Sequence, residues 1–468
     1  MRGREADAAP TRSTCVTLSR IVKAYDVRGV VPDEIDPPLA ARLGRATARV
    51  LGGPELVVGW DMRPSSPELA GAFMAGVREA GVGTVAVGLA STDLLYYASG
   101  VLGLPGAMWT ASHNPAEYNG VKLCRAGAEP VSLDTGLAEI RDSAEQDAEP
   151  TGEPAGHRRV DLLHRYAAHV AGFCDADRMR PVRVAVDAGN GMAGLVAPAI
   201  FQRLPAMVEP LYFELDGTFP NHPANPIDEA NLRDLQRTVI DAGAALGLAF
   251  DGDADRVFCV DERGEAVPPS LVVAVIADRV LAQHPGATVL HNLICSRVVP
   301  ETVEAAGGTA VRTRVGHSYI KATMRETGAV FAGEHSGHYY FRDNFRADSG
   351  LIAAVVLLEA LGEHGGTMSE LVGPYDRYAA SGEINVEVDD QQEAIERVAE
   401  ALADHGEVER LDGLSVGAGE WWVNLRPSNT EPLLRLNVEG DDEATMVRWR
   451  DRVLDLIGVG AAGEAKGV

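Results

Sequence analysis

Three aspartates at alternate positions, Asp251, Asp253 and Asp255, are the clearest chemical signal in the sequence. In extended backbone this spacing projects all three carboxylates to the same side. Like charges about 4 Å apart repel each other by a few kcal/mol at an effective dielectric of about 20, and a bound cation relieves that repulsion. Because hard oxygen ligands favour Mg²⁺ or Ca²⁺, the motif predicts a divalent-cation site, with a solvated acidic turn as the alternative.

The same segment begins like an EF-hand loop and has Glu262 at its twelfth place. Arg256 stands at the sixth place, however, where an EF-hand loop requires glycine. Strand-like residues also flank the segment on both sides. We therefore reject the EF-hand interpretation. The small residues Gly252 and Ala254 instead favour the close approach of another group to this loop.

Ser112, followed by His113 and Asn114, is the candidate nucleophile, and Lys122 lies ten residues further on. A bare serine is a weak nucleophile and needs a base, a metal or an already attached phosphoryl group. No G-x-S-x-G elbow surrounds Ser112, which disfavours a hydrolase triad. A simple turn without chemistry is the alternative for this Ser-His pair.

Two further loops each carry a set of polar side chains suited to binding a ligand. Glu334, Ser336 and His338 provide a carboxylate, a hydroxyl and an imidazole, a set that suits vicinal sugar hydroxyls. For His338 the alternatives are a structural histidine or, with His335, a weak metal pair. The second loop combines a guanidinium with short donors, which suits a phosphate dianion or, equally, a capped turn. Its members are Arg426, Ser428, Asn429 and Thr430.

The segment Gly189–Gly194 matches G-x-G-x-x-G, follows a strand candidate and precedes a helical pattern. It is typical of dinucleotide binding, with Glu214 or Asp216 as the downstream acid, or of a turn that serves close packing alone. A Walker A motif is absent, because no lysine follows a glycine in the required frame.

The elements that must position these loops alternate between strands and helices. Each of three chemically loaded loops follows a short apolar strand candidate, Gly106–Trp109, Leu246–Phe250 or Ala329–Ala332. This alternation predicts an α/β arrangement, in which function gathers in loops after strand ends. The last part of the chain indicates a smaller α+β unit instead. Its candidate strands are Ile384–Val388, Glu420–Leu425 and Leu433–Val438, and its candidate helices are Gln391–His405 and Asp441–Ile457.

We predict a loose N-terminal tail over residues 1–15, followed by four domains. Their expected bounds are 16–155, 156–261, 262–373 and 374–468. The stretch Ala144–His157, rich in Glu, Pro, Gly and Ala, is the best linker candidate, and Gly362–Gly373 is the next.

The net charge excludes several classes of partner. The 468 residues include 42 basic and 68 acidic side chains, a formal charge of −26, which excludes nucleic acids and anionic membranes as partners bound by general basic charge. Five dispersed cysteines suit a reducing cytoplasm better than a disulfide framework or a zinc site. The best apolar stretches, Leu271–Ala277 and Leu351–Leu358, are too short to cross a bilayer, and no secretory signal follows Arg2 and Arg4. We expect a soluble cytoplasmic protein, monomeric or weakly dimeric.

Lysine is scarce within the basic set and occurs only at Lys23, Lys122, Lys321 and Lys466. The first three lie within or beside the proposed site motifs. We interpret them as places where a compact ammonium is needed rather than a guanidinium.

Together these loops resemble those of the α-D-phosphohexomutase family, in particular its phosphomannomutase/phosphoglucomutase branch. The resemblance implies three topologically similar α/β domains plus a smaller C-terminal α+β domain around a central cleft. It makes the glycine motif a scaffold turn, and the dinucleotide hypothesis falls. The matching segments follow the family order over about residues 20–440 and are Ala24–Gly29, Thr110–Pro115, Asp216–His222, Asp251–Arg256, Gly333–His338 and Arg426–Pro432.

For the site, the resemblance implies that Ser112 is a phosphoserine that donates and regains a phosphoryl group. A hexose 1,6-bisphosphate would be the intermediate and activator, and Mg²⁺ would be held by Ser112 and the three aspartates. Glu334 and Ser336 would bind the 3- and 4-hydroxyls of the sugar, and the loop at Arg426 would bind the non-reacting phosphate. The other matching cleft positions are Tyr25, Arg28, Lys122, Arg256, His317 and His338.

Lys122 or His113 is the candidate proton shuttle, and Arg28 completes the expected catalytic set. The sequence departs from the family pattern at one point. Many relatives place a lysine in the strand-end loop of the third domain, where this chain has Ile294–Arg297. Arg297 is the candidate substitute for that lysine.

The implied activity is the reversible interconversion of mannose 6-phosphate and mannose 1-phosphate, with the glucose pair as a further substrate. Contacts at the 3- and 4-hydroxyls do not read C2, the carbon at which the two sugars differ. Alternatives are phosphoglucomutase as the main activity, a metal-dependent sugar-phosphate phosphatase using Ser112, and an inactive sugar-phosphate-binding protein. Glucosamine phosphate is less favoured, because relatives acting on it usually differ in the sugar loop.

Overall fold

The computed structural model describes residues 18–146, 150, 153–428 and 433–458. Within these residues the chain forms four separate sheets, each of which supports one of the chemically loaded loops. The tail expected at residues 1–15 lies outside the described residues.

The first unit contains β1 (Val27–Val30), α1 (Pro37–Leu51), β2 (Glu55–Trp60), α2 (Ser66–Glu79), β3 (Gly83–Leu89), α3 (Thr92–Leu102), β4 (Gly106–Trp109), β5 (Tyr118–Arg125), β6 (Glu129–Pro130), α4 (Leu137–Glu145) and β7 (His157–Arg159). Its sheet has the order β1-β5-β4-β2-β3-β7, with β6 beside β5. Successive side chains of a strand point to opposite faces. Leu56 and Val58 therefore join the core that includes α1 and α2, whereas Val57 joins the core that includes α3.

The second unit contains α5 (Leu163–Ala171), β8 (Val182–Asp187), α6 (Ala193–Phe201), β9 (Ala206–Leu211), α7 (Arg233–Ala242), β10 (Leu246–Phe250), β11 (Val257–Asp261) and β12 (Ala266–Val267). The sheet order is β12-β11-β10-β8-β9. Gly243 ends α7 with a left-handed backbone, φ 59°, the conformation in which glycine commonly terminates a helix.

The third unit contains α8 (Pro269–Gln283), β13 (Thr288–Asn292), α9 (Val298–Ala305), β14 (Thr309–Thr313), α10 (His317–Thr327), β15 (Phe331–Gly333), β16 (Tyr339–Phe341), α11 (Gly350–His364) and α12 (Met368–Val372). The sheet order is β14-β13-β15-β16. Ser349 caps α11, because its hydroxyl accepts from the N–H of Ile352. From Gly350 to Gly362 every residue of α11 is buried, and the helix belongs to a core shared with the second sheet.

The fourth unit contains β17 (Ala379–Glu387), α13 (Gln391–Leu402), β18 (Glu407–Glu409), β19 (Leu414–Ala418), β20 (Trp421–Pro427), β21 (Leu433–Gly440) and α14 (Glu443–Ile457). Its antiparallel sheet has the order β17-β21-β20-β19-β18. One face packs against α13 and α14, whose apolar residues form a core separate from the other three sheets. The predicted fold class is confirmed.

The first three sheets repeat one four-strand pattern. A central strand runs parallel to both neighbours, and the second neighbour pairs antiparallel with the strand that follows it in sequence. The loops of Ser112, the three aspartates and Glu334 each connect that last antiparallel pair. They join β4 to β5, β10 to β11 and β15 to β16, so they occupy equivalent places in the three sheets.

Two short edge strands lie just beyond predicted domain boundaries. The first sheet includes β7, which pairs with β3 although it lies beyond residue 155, and the second includes β12, which pairs with β11 beyond residue 261. Short edge strands with little apolar pattern give no signal for the sheet they will join. The second linker candidate, Gly362–Gly373, is wrong in part, because it contains α12 with buried Met368 and Val372.

Among the described helices no single one is long and apolar enough to span a membrane. One bent pair, Gly350–His364 with Met368–Tyr375, meets the length and composition criteria when the two are taken together.

Candidate active site

Ser112 lies in the loop that follows β4, at the carboxyl end of that strand. Its φ is +49°, in the left-handed region that non-glycine residues rarely adopt. Its Oγ donates to Oδ2 of Asp251 at 2.8 Å and lies 3.2 Å from Nδ1 of His113. Because Ser112 is only 4% exposed, the turn directs its hydroxyl inward, against the acidic loop of the second sheet.

Asp251, Asp253 and Asp255 follow β10 and are buried together. One carboxylate oxygen from each lies within 4.8 Å of the other two. Oδ1 of Asp253 and Oδ1 of Asp255 are buried without a hydrogen-bonding partner, an unfavourable state for a carboxylate oxygen. A divalent cation would satisfy these oxygens, so the residues present fit the predicted metal site.

Two cations surround the acidic loop. Nζ of Lys122 lies 2.7 Å from Oδ2 of Asp253 and 2.6 Å from Oδ2 of Asp255, and Nε of Arg256 lies 2.9 Å from Oδ2 of Asp251. Three carboxylates thus face two fixed positive charges, which leaves the cluster favourable to a further cation.

Burial and these charges together set the protonation of the cluster. Burial raises the pKa of Asp251 to about 7, although the guanidinium of Arg256 opposes this. Burial acts in the same direction on Asp253, but Lys122 beside it holds the pKa of that carboxyl below its usual value. Burial works to lower the pKa of Lys122, yet Asp253 and Asp255 hold it well above its usual value. Lys122 therefore keeps its charge at neutral pH.

His113 contacts both the nucleophile and a cation. Nη2 of Arg256 donates to Nδ1 of His113 and lies 3.3 Å from Oγ of Ser112. This contact makes Nδ1 an acceptor and leaves Nε2 to carry the ring proton. Burial, and then the charge of Arg256, hold the pKa of His113 well below its usual value, so the ring is neutral.

The loop of the third sheet fixes its functional side chains through buried contacts. Oε2 of Glu334 accepts from the hydroxyl of Tyr340 at 2.8 Å, and Oε1 accepts from the N–H of Gly316 at 3.2 Å. Nδ1 of His338 lies 2.9 Å from Oδ2 of Asp348. Ser336, which lies between Glu334 and His338 in the sequence, is half-buried. The carboxylate of Glu334 is therefore held in one orientation by contacts at both of its oxygens.

Direct contacts bring the first three loops to one cleft. The backbones of Arg256 and His338 form a bridge between the acidic loop and the loop of Glu334. The ring of Tyr25 lies edge-on to that of His317, with centroids 4.9 Å apart. Arg28 reaches the loop of Ser112, where its Nη1 donates to Oδ1 of Asn114 at 2.5 Å.

The fourth loop follows β20. Arg426 is 4% exposed, and its Nη2 donates to Oε2 of Glu383 at 2.8 Å. The N–H of Ser428 donates to the carbonyl of Leu433 across the loop at 2.9 Å. The predicted phosphate ligands Asn429 and Thr430 lie outside the described residues.

Arg297 does not lie free to replace the lysine of other relatives. Its Nε lies 3.0 Å from Oε1 of Glu439, its Nη2 lies 2.8 Å from Oδ1 of Asp441, and its Nη1 donates to the carbonyl of Gly419. Its guanidinium also stacks on Tyr378 at 4.2 Å. Arg297 is thus committed to a junction between the third and fourth units.

The glycine motif at Gly189–Gly194 supports the acidic loop. A Cβ at Gly191 would lie 2.7 Å from the carbonyl oxygen of Gly252, and the N–H of Met192 donates to that oxygen at 2.9 Å. Glycine is required here for close packing of two backbones. This geometry agrees with the interpretation of the motif as a scaffold turn.

Three supporting residues have no assigned role in the sequence-based prediction. Thr92 contacts Asp253, Asp348 contacts His338, and Arg63 contacts the backbone of the Ser112 loop. Of these three, only Arg63 could have been identified from the sequence, because it stands in a loop directly after β2, where functional residues of α/β folds gather. Thr92 and Asp348 lack such a local signal, because their partners come from other parts of the chain.

Comparison with known domains covers most of the chain. Four models described as phosphoglucomutase/phosphomannomutase match it in order: the α/β/α domain I over residues 19–151, domain II over 164–264, domain III over 268–378 and the C-terminal domain over 383–456. All four parts of one domain set are therefore present in sequence order.

Individual relatives extend this similarity over nearly the full length. A Xanthomonas campestris protein named for phosphohexose mutases is 41% identical, covering 92% of this chain and 96% of that protein. The phosphomannomutase of Salmonella typhimurium is 39% identical, covering 95% and 98%. A crystal structure of a phosphoglucomutase/phosphomannomutase family protein from Burkholderia thailandensis has a TM-score of 0.87 at 33% identity, covering 94% and 98%.

Proposed function

The chain belongs to the phosphoglucomutase/phosphomannomutase family and is a phosphohexomutase, and on that premise we propose that it interconverts mannose 6-phosphate and mannose 1-phosphate. Ser112 gives and regains the phosphoryl group, and a hexose 1,6-bisphosphate is the intermediate. The observation that carries the proposal is the 2.8 Å contact between the Ser112 hydroxyl and Asp251, inside a carboxylate cluster suited to a divalent cation.

The three aspartates, with an oxygen on Ser112, would hold Mg²⁺. The orphaned oxygens of Asp253 and Asp255 support this assignment, since a hard cation is their natural partner. When bound, Mg²⁺ would neutralise phosphoryl charge and so favour transfer. Lys122 pairs with Asp253 and Asp255, and Arg256 pairs with Asp251, which fixes the three carboxylates.

In the first half-reaction the bond between Ser112 Oγ and phosphorus breaks. A bond forms between phosphorus and the free hydroxyl oxygen of the hexose monophosphate. The guanidinium of Arg256, with Nη2 3.3 Å from Ser112 Oγ, stabilises the negative charge that develops on the transferred group. Of the two predicted shuttles, His113 has a neutral ring that can accept the proton of the sugar hydroxyl, whereas Lys122 keeps its charge and cannot accept it. Arg28 lies nearby through its contact with Asn114.

The bisphosphate then turns in the cleft, so that its other phosphate faces Ser112. In the second half-reaction the bond between that phosphate and the sugar oxygen breaks, and a bond to Ser112 Oγ forms. The sugar oxygen regains a proton from His113, and the isomeric monophosphate leaves. This turn requires a set of contacts to the sugar that forms in either orientation of the bisphosphate. Glu334 and Ser336 supply it at the 3- and 4-hydroxyls, with Tyr25, His317 and His338 lining the cleft.

The loop after β20 binds the phosphate that is not reacting. Arg426 and Ser428 supply a guanidinium and a hydroxyl to that phosphate, and Asn429 and Thr430 complete the proposed set. A guanidinium matches two phosphate oxygens at once, which holds the group in orientation as well as place.

We assign mannose phosphates as the substrates, with glucose phosphates accepted as well. The two sugars differ only at C2, and the proposed contacts of Glu334 and Ser336 at C3 and C4 do not distinguish them. Support for mannose comes from the relatives, several of which carry the name phosphomannomutase. Glucosamine phosphates should be poorer substrates.

Two measurements test this assignment. Catalytic efficiency is compared on the 1-phosphates of mannose, glucose and glucosamine, and we expect mannose and glucose to agree within about tenfold. The phosphorylated enzyme is also incubated with each monophosphate. Release of free phosphate without isomer would indicate a phosphatase, and binding without turnover would indicate an inactive binding protein.

The Ser112→Ala variant controls for the nucleophile. It should lose turnover by at least about 1000-fold, since alanine has no hydroxyl to carry the phosphoryl group. It should still bind the hexose monophosphate, because the sugar and phosphate loops are unchanged. Full activity in this variant would end the phosphoserine mechanism.

A further inference from the structure

Arg63 gathers four backbone carbonyls of the loop that carries the nucleophile. Its Nη1 donates to the carbonyls of Pro115 at 2.7 Å and Tyr118 at 2.9 Å. Its Nη2 donates to the carbonyls of Ser112 at 2.9 Å and Asn114 at 2.6 Å. One side chain thus satisfies the inward-facing backbone of the loop from Ser112 to Tyr118, although it belongs to a different loop of the same sheet.

Arg63 is itself fixed from every side. Its side chain and that of Asp61 are fully buried, with Nε 3.3 Å from Oδ2, and Asp61 in turn accepts from the hydroxyl of Ser66 at 2.5 Å. The ring of Phe219, from the second unit, lies 5.1 Å from the guanidinium carbon. A Cβ on Gly217 would lie 2.4 Å from the Cα of Arg63. The second unit therefore closes tightly over this arginine.

The donor count explains why arginine stands at this position. A planar guanidinium presents five N–H donors in a fork, whereas an ammonium presents three from a single point. Four converging carbonyls in a buried site require the fork, because an unpaired buried carbonyl is strongly unfavourable. A lysine at residue 63 would leave some of these carbonyls unpaired, and the loop would relax.

Such a relaxation of the loop would affect Ser112 most. Its left-handed backbone, φ +49°, persists only where the surroundings determine it. Its carbonyl oxygen is held by Arg63 on one side and packs against Gly252 on the other, where a Cβ would lie 2.4 Å away. A change in the peptide at Ser112 would therefore move Oγ out of line with Asp251.

We propose that Arg63 is a positioning residue for phosphoryl transfer, which holds the Ser112 peptide so that the serine hydroxyl faces the acidic loop. This inference rests on the proposed function, because it assumes that Ser112 carries the phosphoryl group. Arg63 itself contacts the backbone of the loop and acts through it. Its loss should therefore slow the transfer steps without weakening the contacts to the sugar.

The test compares Arg63→Gln and Arg63→Lys with the wild-type protein. Turnover of glucose 1-phosphate gives kcat and KM, and mass spectrometry follows phosphorylation of Ser112 by glucose 1,6-bisphosphate. We expect Arg63→Gln to lower kcat and the phosphorylation rate by about 100-fold, the cost of a misplacement near 1 Å. KM should stay within about threefold, and Arg63→Lys should be intermediate.

Arg279→Gln is the matched control. That arginine is partly buried and pairs with Glu359 and Glu363, two residues of α11. It should lower the melting temperature and leave kcat and KM unchanged. A melting curve for each variant separates loss of fold from loss of positioning.

Folded Arg63→Gln with wild-type kcat, or with a raised KM alone, would overturn the positioning role. If Arg63→Gln does not fold, Arg63→Lys decides by the same criterion: a lower kcat at constant KM supports the role, and an unchanged kcat overturns it. A wild-type protein that neither accepts the phosphoryl group nor turns over would overturn the proposed function, and this inference with it.

Discussion

Thr92 binds Asp253 at two points. Its hydroxyl donates to Oδ2 at 2.5 Å, and its backbone N–H donates to the Asp253 carbonyl at 3.0 Å. Thr92 opens α3 in the first unit, whereas Asp253 belongs to the acidic loop of the second. Lys122 meets the same Oδ2 at 2.7 Å, so this oxygen is occupied while Oδ1 has no partner. The first unit therefore orients the Asp253 carboxylate and leaves one oxygen for a metal.

Removing the contact between the Thr92 hydroxyl and Asp253 should weaken metal binding. We predict that Thr92→Val raises the Mg²⁺ concentration for half-maximal activity by about tenfold, the usual effect of losing a partner of a metal ligand. At saturating Mg²⁺ the rate should recover to near wild type. Initial rates over a Mg²⁺ titration measure this. Thr92→Ser keeps the hydroxyl and should behave as wild type, and an unchanged titration for Thr92→Val would contradict the role.

Removal of divalent metal should stop catalysis. We expect a chelator to reduce turnover to below about 1% and added Mg²⁺ to restore it, because transfer depends on charge neutralisation. Mg²⁺ should also raise the melting temperature of the wild-type protein, since a ligand that binds the folded state stabilises it. Asp253→Ala should abolish that shift. A rate insensitive to the chelator would refute the assignment of the three aspartates.

We predict that arginine cannot replace Lys122 without a loss of activity. Nζ lies between two carboxylates at 2.7 and 2.6 Å, and the side chain is 13% exposed. A guanidinium is larger and planar, so it would displace Asp253 and Asp255. Lys122→Arg should lower kcat by at least about tenfold. Arg183→Lys, at an exposed ion pair with Glu209, is the control, because it also exchanges one positively charged side chain for the other. Full activity of Lys122→Arg would count against this prediction.

Stability should depend on pH through Asp93. This carboxyl is fully buried and accepts from Ser91, Tyr166 and Ser349, which bring three parts of the chain together. Burial raises the pKa of Asp93 to about 6. Between about pH 4 and 6 the folded state therefore holds a proton that the unfolded chain has lost, so its contribution to stability falls as pH rises.

Asp93→Asn should remove this dependence, because asparagine does not titrate. The free energy of unfolding of the wild type relative to the variant should decrease by about 2 kcal/mol from pH 4 to pH 6, because the folded state holds the proton over most of this range. Urea unfolding across this range measures both proteins. Parallel pH profiles would show that Asp93 does not titrate there.

The sequence by itself determined the loops that carry chemistry. Ser112 with His113, and the three alternating aspartates, are local patterns that can be read without a fold. The strands that precede them, Gly106–Trp109 and Leu246–Phe250, have the predicted bounds because short apolar runs end at polar or glycine-rich residues. Where the pattern was weak, as in the two-residue strand β12, the sheet that the strand joins could not be predicted.

Only the tertiary structure decided which residues support those loops. Thr92 and Asp253 are 161 residues apart, and Arg63 is 49 residues from Ser112, so no local pattern links either pair. The orphaned oxygens of Asp253 and Asp255, and the commitment of Arg297 to Glu439, likewise appear only once the units are packed. Hydrophobic periodicity specifies strands and helices, whereas hydrogen-bonding partners are set by which buried polar groups meet when those elements pack.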